Sequence, residues 1–253
     1  MDNFEEKACA CALNRIFGFT PRTGTALISH LGSASEVFRL SHGELENILG
    51  RESRHIGMIG AEAVKAARQE LNDMAEMGIR FTEWNSPDYP HLLRECPDAP
   101  VGIYIRSVTP VQELWRPPRS IAVVGTRDIS PYGKEWCEKT VTAIAGCDVR
   151  PLIISGLALG TDICAHRTAL DCGLPTIAVM ATGPEAVYPY RHKEFADRLW
   201  KTPGCALVTD YPPGTAPLAI HFLRRNRIIA GLADSTILIE SKSRGGGMTT
   251  SRL

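Results

Sequence analysis

The stretch IAVVGTRDISP, residues 121–131, contains the local pattern that decides the fold. Its four leading apolar residues form a short continuous run, which is typical of a strand buried on both faces of a parallel sheet. A glycine turn follows. Ser130 and Pro131 then predict the start of a helix, because serine caps a helix N-terminus and proline is favoured at the first helical position. The stretch therefore predicts a strand, a tight turn and a helix.

Similar units repeat along the C-terminal half of the chain. Short apolar runs lie at residues 152–154, 176–180, 206–208 and 236–239. Segments of helical length alternate with these strands, at about residues 131–145, 162–172, 191–202 and 222–232. Alternation at this spacing is typical of right-handed βαβ units. We therefore predict an α/β fold with a doubly wound, mainly parallel sheet.

The N-terminal part, residues 1–76, predicts a small all-helical domain. Its apolar residues recur at helical spacing, and glycines divide them into short helices. Ser33 and Ser41 each precede a glutamate by three residues, the pattern of a capping box. A proline-rich segment, residues 79–119, follows with one predicted strand at 101–106. We place the sheet domain at residues 77–253.

Composition and charge exclude several classes of protein. Of the 253 residues, 44% are hydrophobic and 22% are charged, which is typical of a globular chain. Neither an apolar run of about 18 residues nor a signal peptide occurs, so we expect no membrane span. The eight cysteines include no C-x-x-C pair, which argues against zinc and thioredoxin-like sites and predicts a reduced, cytoplasmic protein. The formal net charge is zero.

Candidate site residues follow the predicted strands, since ligands of such sheets bind beyond the carboxyl ends of the strands. Gly125, Thr126 and Arg127 follow the first strand without the G-x-G-x-x-G of a dinucleotide site, so we expect no NAD or FAD. The start of the next helix favours an anion beside Arg127, because free N–H groups and the helix dipole are positive there. A capped turn with a surface arginine is the alternative.

The loop after the second strand carries two glycines four residues apart, Gly156 and Gly160, which allow a close backbone approach. Lys and Ser/Thr do not follow them, so this is not a P-loop. Asp162 and His166 lie one helical turn apart, and a hydrogen bond between them would orient the histidine. An ordinary packing histidine is the alternative.

An arginine cluster and a late glycine loop complete the predicted site. In the sequence RRNR at residues 224–227, Arg224 and Arg227 are expected to share a helix face toward the crevice, while Arg225 points elsewhere. Clustered arginines bind phosphates, although a solvated charged face is the alternative. The sequence GGGMTTS at residues 245–251 predicts a phosphate-binding nest. These features predict a broad anion-binding rim without a catalytic nucleophile, a metal cluster or paired carboxylates.

In combination and order, the motifs resemble the DNA-processing protein A (DprA/Smf) family. The matching stretches are AVVGTR (122–127) with YG (132–133), SGLALGTD (155–162) with AH (165–166), YP (188–189) with His192, PPGTAP (212–217) and FLRRNRIIAGL (222–232). The helical start and PDYPHLL (87–93) are also similar to the family's opening. Leu223 stands where the family usually has proline.

The resemblance implies an extended Rossmann-like domain behind a sterile-alpha-motif or helix-hairpin-helix-like domain. It implies a protein that binds and protects incoming single-stranded DNA and loads the RecA recombinase in natural transformation, competence and DNA recombination. Family members are not established enzymes, and the resemblance implies no cofactor. The DNA-binding residues that it implies are Gly125, Thr126, Arg127, Ser155, Gly156, Gly160, Arg224, Arg225, Asn226, Arg227, Gly246, Gly247 and Thr249.

Two further expectations concern the end of the chain. The resemblance implies that the family's homodimer contact lies largely in a segment that would follow Leu253. We therefore expect the sheet domain to be C-terminally incomplete, with two alternatives: the chain is a fragment, or its self-association and its RecA contact are impaired. The alternative function is a lysine-decarboxylase-like phosphoribohydrolase, whose Pro-Gly-Gly-x-Gly-Thr loop cradles a nucleotide phosphate. Residues 244–250 are loosely similar to that loop.

Overall fold

A computed structural model describes residues 3–241 of the chain. The predicted glycine loop with Gly246, Gly247 and Thr249 lies outside the described residues. The helices are α1 Asn3–Ile16, α2 Pro21–Leu31, α3 Ala34–Val37, α4 His42–Leu49, α5 Ala61–Glu76, α6 His91–Arg94, α7 Val111–Leu114, α8 Pro131–Ala145, α9 Thr161–Asp171, α10 Lys193–Lys201 and α11 Ala219–Gly231. Short 3-10 helices lie at Ile56–Met58 and Tyr190–His192. The strands are β1 Ile79–Glu83, β2 Gly102–Arg106, β3 Ser120–Val124, β4 Leu152–Ser155, β5 Thr176–Val179, β6 Ala206–Thr209 and β7 Ser235–Leu238.

The strands form one mixed sheet in the order β1-β2-β6-β5-β4-β3-β7. The five strands from β6 to β7 are parallel, whereas β1 and β2 are antiparallel to their neighbours. The predicted α/β class is confirmed. β1 was not predicted, because its alternating Ile79 and Phe81 lie in the proline-rich segment, where only residues 101–106 were predicted as a strand.

Helices cover both faces of the parallel strands, because successive residues of a buried strand point to opposite sides. Val124 and Ile154 pack with Ile228 and Ile229 of α11 on one face. On the other face, Val123 packs against α8 and α9. This alternation fixes which side of the sheet each helix occupies.

The hydrophobic core of the first five helices continues into the edge of the sheet. Ile79 and Phe81 of β1 and Tyr104 of β2 are buried in the same cluster as Leu13 and Phe17. The boundary between residues 76 and 77 therefore stays a prediction, while a helical part does precede the sheet. No helix within residues 3–241 combines the length and apolar character needed to cross a lipid bilayer.

The caps behave largely as the sequence predicts. Ser130 accepts a hydrogen bond from the backbone N–H of Gly133 at 3.0 Å, and Pro131 is the first residue of α8. Ser41 and Glu44 form a reciprocal capping box. Local sequence signals therefore fixed where these helices begin.

Candidate functional site

A cleft of about 650 Å³ opens at the carboxyl end of β3. β3 pairs with β4 on one side and with β7 on the other, so the direction of strand order reverses here. Such switch points are where open α/β sheets bind ligands, because the loops from the two sides diverge. We call this space the first cleft. It is lined by Gly125, Thr126 and Arg127 after β3 and by the N-terminal half of α11.

Glycines allow the two loops below the first cleft to meet backbone to backbone. A Cβ at Gly125 would lie 2.3 Å from Thr161 Oγ1, and one at Gly160 would lie 2.3 Å from the carbonyl oxygen of Thr126. Gly160 also has a φ of +73°, which L side chains rarely adopt. The backbone N–H of Thr161 donates to the carbonyl of Thr126 at 3.1 Å. Residues 125 and 160 must therefore be glycine to shape the cleft floor.

An internal carboxylate lies at the N-terminus of α8, where the sequence predicted an anion beside Arg127. Glu240 Oε2 accepts hydrogen bonds from the backbone N–H and the hydroxyl of Ser130, both at 3.0 Å. Its carbonyl accepts the N–H of Thr126 at 2.7 Å. The expectation of an open anion site at this helix start is corrected, because the residues after β7 bring Glu240 there. No sequence signal singled out Glu240.

The mouth of the first cleft combines a cation with aromatic rings. Arg127 is exposed, and its guanidinium carbon lies 4.8 Å from the ring centroid of Phe222. Tyr188 meets Phe222 edge-on, with ring centroids 5.6 Å apart, and is 49% exposed. All three line the cleft. Sequence reasoning did not assign Phe222 or Tyr188 to the site, although both stand in the family's motifs.

Arg225 is directed into the fold beneath the first cleft, and the prediction that it points elsewhere is wrong. The residue is only 3% exposed and donates from Nη1 to the carbonyls of Gly156 and Val179. Its Nε donates to Asn226 Oδ1 at 3.2 Å. Arg225 therefore joins the loop after β4 to the end of β5 and adds a buried positive charge to the cleft.

Arg224 and Arg227 face away from the first cleft, which corrects their predicted orientation. They do share a helix face, but both line a second cleft against the helical part. Arg224 donates to the carbonyl of Gly18, and Arg227 pairs with Asp210. The physical reason is the rotation of α11. Arg225 stands three residues before the buried Ile228 and four before the buried Ile229. It therefore shares the helix face of these two isoleucines, and not the face of Arg224 and Arg227.

Asp162 and His166 do not form the predicted hydrogen bond. His166 Nδ1 instead bonds Thr176 Oγ1 at 2.7 Å, and Asp162 accepts the N–H of Ala158 at 3.3 Å. Burial lowers the pKa of His166 to about 3, so the imidazole is neutral. Burial raises the pKa of Asp162, and the charge of Arg225 opposes that rise.

The remaining predicted residues support the cleft from below. Ser155 is fully buried and donates from Oγ to the carbonyl of Val123 at 2.6 Å. Asn226 lines the first cleft beside Arg225. Within residues 3–241, three or more His, Cys, Asp or Glu side chains do not come together as a metal site. The chemistry of this site is that of a cation and aromatic rings around a groove.

Comparisons of sequence and of structure with known proteins match the chain to the same family. The sequence profile of the DNA recombination-mediator protein A family matches residues 80–253. The DNA processing protein DprA of Streptococcus pneumoniae is 40% identical over 162 residues, which are 64% of this chain and 54% of that protein. The chain spans only a little over half the length of such curated relatives.

Two solved structures are similar to the chain. The X-ray structure of DNA processing protein A from Streptococcus pneumoniae aligns with a TM-score of 0.73 and 27% identity, covering all of this chain and 82% of that one. DNA processing protein A from Helicobacter pylori, described by its single-stranded DNA binding mode, aligns with a TM-score of 0.58 and 25% identity. That alignment covers 68% of this chain and 74% of the other.

Proposed function

Since the chain belongs to the DNA recombination-mediator protein A family, we propose that its first cleft binds single-stranded DNA. One observation carries the proposal: Arg127 stacks on Phe222, with Tyr188 edge-on to the same ring, at the mouth of a cleft that contains buried Arg225. Proteins that bind single strands combine a positively charged groove with aromatic side chains on which bases stack. The cleft offers both.

The arrangement favours a single strand over a duplex. A base stacks on an aromatic ring or a guanidinium plane only when it is splayed out of its helix. Phe222, Tyr188 and Arg127 provide such flat faces within a space of about 650 Å³. In our proposal this space takes a few nucleotides of a flexible strand and excludes the stacked pairs of a duplex.

The residues divide into two roles in this proposal. Arg127 contacts a phosphate or stacks on a base, and Phe222 and Tyr188 stack on bases. Gly125, Thr126, Ser155, Gly156, Gly160 and Asn226 shape the groove, as inferred from their close backbone contacts. DNA contacts by Gly246, Gly247 and Thr249 stay predictions.

We further propose that the bound strand is handed to a RecA recombinase during natural transformation, in the cytoplasm and without catalysis by this chain. The description of the family as recombination mediators supports the proposal, as does the named role of the pneumococcal relative in DNA processing. The expectation that self-association is doubtful for this chain also stays a prediction.

A titration tests DNA binding directly. Labelled oligothymidylate and a duplex of equal length are titrated with the protein at two salt concentrations. We expect the single strand to bind more tightly, with an affinity that falls as salt rises because bound phosphates release counterions. A single strand of mixed sequence should bind equally well. Tight, sequence-specific binding of the duplex would refute the proposal.

A further inference from the structure

A second cleft, of about 520 Å³, lies between the helical part and α11. One wall is the first turn of α2 with the residues before it, and the other is formed by Leu223, Arg224 and Arg227. The second cleft therefore joins the two parts of the chain. Its Arg224 and Arg227 were predicted to line the same crevice as Arg127, and the proposed function does not include this second cleft.

The charges in the second cleft favour an anion. Arg22, Arg224 and Arg227 line it together with Asp98, and Asp210 pairs with Arg227, so the arginines still outnumber the carboxylates. Arg224 Nη1 is buried without a hydrogen-bond partner, although Nη2 donates to Gly18. Arg227, only 10% exposed, likewise has a buried Nε without a hydrogen bond, with Asp98 Oδ2 at 3.7 Å. Buried donors without partners are unfavourable, so a ligand oxygen would satisfy them.

The start of α2 adds to this field. The Thr20 side chain makes no capping hydrogen bond, Pro21 is the first residue, and the first turn holds no acidic residue. A helix N-terminus without a capping carboxylate keeps its partial positive charge. This pole lies in the same cleft as the three arginines, so both sources of positive potential act on one space.

Leu223 connects the two clefts. Its side chain is 54% exposed and lines both, while its neighbours Phe222 and Arg224 line the first and the second respectively. A strand that leaves the aromatic mouth of the first cleft therefore reaches the second cleft after crossing one residue.

We propose that the second cleft binds the phosphodiester backbone of the same single strand beyond the first cleft, through Arg22, Arg224 and Arg227. This inference rests on the proposed function. It extends the DNA footprint from the sheet onto the helical part.

The test uses Arg22, because Arg224 and Arg227 also hold the fold together through Gly18 and Asp210. Arg22 is exposed, and its side chain forms no hydrogen bond or ion pair with residues 3–241. Arg51 matches it in both respects but lines neither cleft. Arg22→Ala and Arg51→Ala therefore remove the same charge from the same part of the chain.

Both variants and wild type are titrated by fluorescence anisotropy with oligothymidylates of about four and about sixteen nucleotides, spanning common single-strand site sizes. We expect Arg22→Ala to weaken binding of the longer strand by roughly fivefold. Its salt slope should fall by about 0.7, with binding of the shorter strand unchanged. Arg51→Ala should leave both affinities unchanged.

Two results would refute DNA binding by the second cleft. In the first, Arg22→Ala binds both oligonucleotides as Arg51→Ala does. In the second, Arg22→Ala weakens the binding of both oligonucleotides equally. If Arg127→Ala weakens both lengths in that case, the proposed function stands and only the second cleft is refuted. If wild type binds neither oligonucleotide, the proposed function fails and the second cleft fails with it.

Discussion

Arg225→Met should destabilise the fold strongly, although the sequence predicted that Arg225 points away from the crevice. The side chain donates from Nη1 to two buried carbonyls, those of Gly156 and Val179. A buried acceptor left without its donor typically lowers stability by about 1–3 kcal/mol. Methionine recovers part of the lost stability, because its side chain fills a similar volume and carries no charge that burial would desolvate. We therefore expect a loss of about 3 kcal/mol in the free energy of unfolding.

Asp162 makes the effect depend on pH. A Cβ at Gly156 would lie 2.2 Å from Arg225 Nη1 and 2.5 Å from Asp162 Oδ2, so the two charges face each other there. The pKa of Asp162 is already raised by burial, and Arg225 limits the rise. Removing Arg225 raises that pKa further. At a pH above a raised folded-state pKa, the ionised carboxylate lowers the stability of the folded protein. Protonation at lower pH removes this cost, so the stability difference between Arg225→Met and wild type should shrink as the pH falls from 7 through the pKa of Asp162.

Urea unfolding followed by circular dichroism at pH 7 and pH 5 measures both effects. Arg127→Ala is the control, since removing an exposed arginine should change stability by less than about 0.5 kcal/mol. Asp162→Asn combined with Arg225→Met should lose less stability than the sum of the single changes, because the two side chains are coupled. The reasoning is refuted if Arg225→Met loses less than about 1 kcal/mol, or if its deficit grows at pH 5.

Three further substitutions test the first cleft. Arg127→Ala should lower the salt slope of single-strand binding by about 0.7 at every sequence, and an unchanged slope would remove Arg127 from the site. Gly160→Ala should lower stability by about 1–3 kcal/mol, because a Cβ there meets the Thr126 carbonyl at positive φ; a melting temperature equal to wild type would contradict this. Glu240→Gln should reduce the free energy of unfolding by about 1 kcal/mol through a weaker cap on α8, measured against Glu52→Gln, an exposed carboxylate that forms no hydrogen bond or ion pair within residues 3–241.

The orientation of α11 shows where sequence reasoning failed and why. The spacing of Arg224 and Arg227 correctly predicted that they share a face. Which face meets the sheet depends on the apolar residues, and Ile228 and Ile229 turn Arg225 inward with them. That signal was present in the sequence, because residue 225 precedes both isoleucines by three or four positions.

The sequence alone determined most of the secondary structure of residues 120–241 and where the first cleft opens. Short apolar runs and capped helix starts are local signals, since strand burial and capping depend on neighbours within a few residues. The order of strands and helices likewise predicted a cleft at the carboxyl end of β3, which the structure has.

Only the tertiary structure decided which residues meet there. Glu240 reaches the start of α8 from 110 residues away, and Tyr188 meets Phe222 from another loop. The second cleft brings together Arg22 of α2 and Arg224 of α11, which are far apart along the chain. Such contacts follow from how the helices and the sheet pack together, and packing joins residues whose separation along the chain carries no periodic signal.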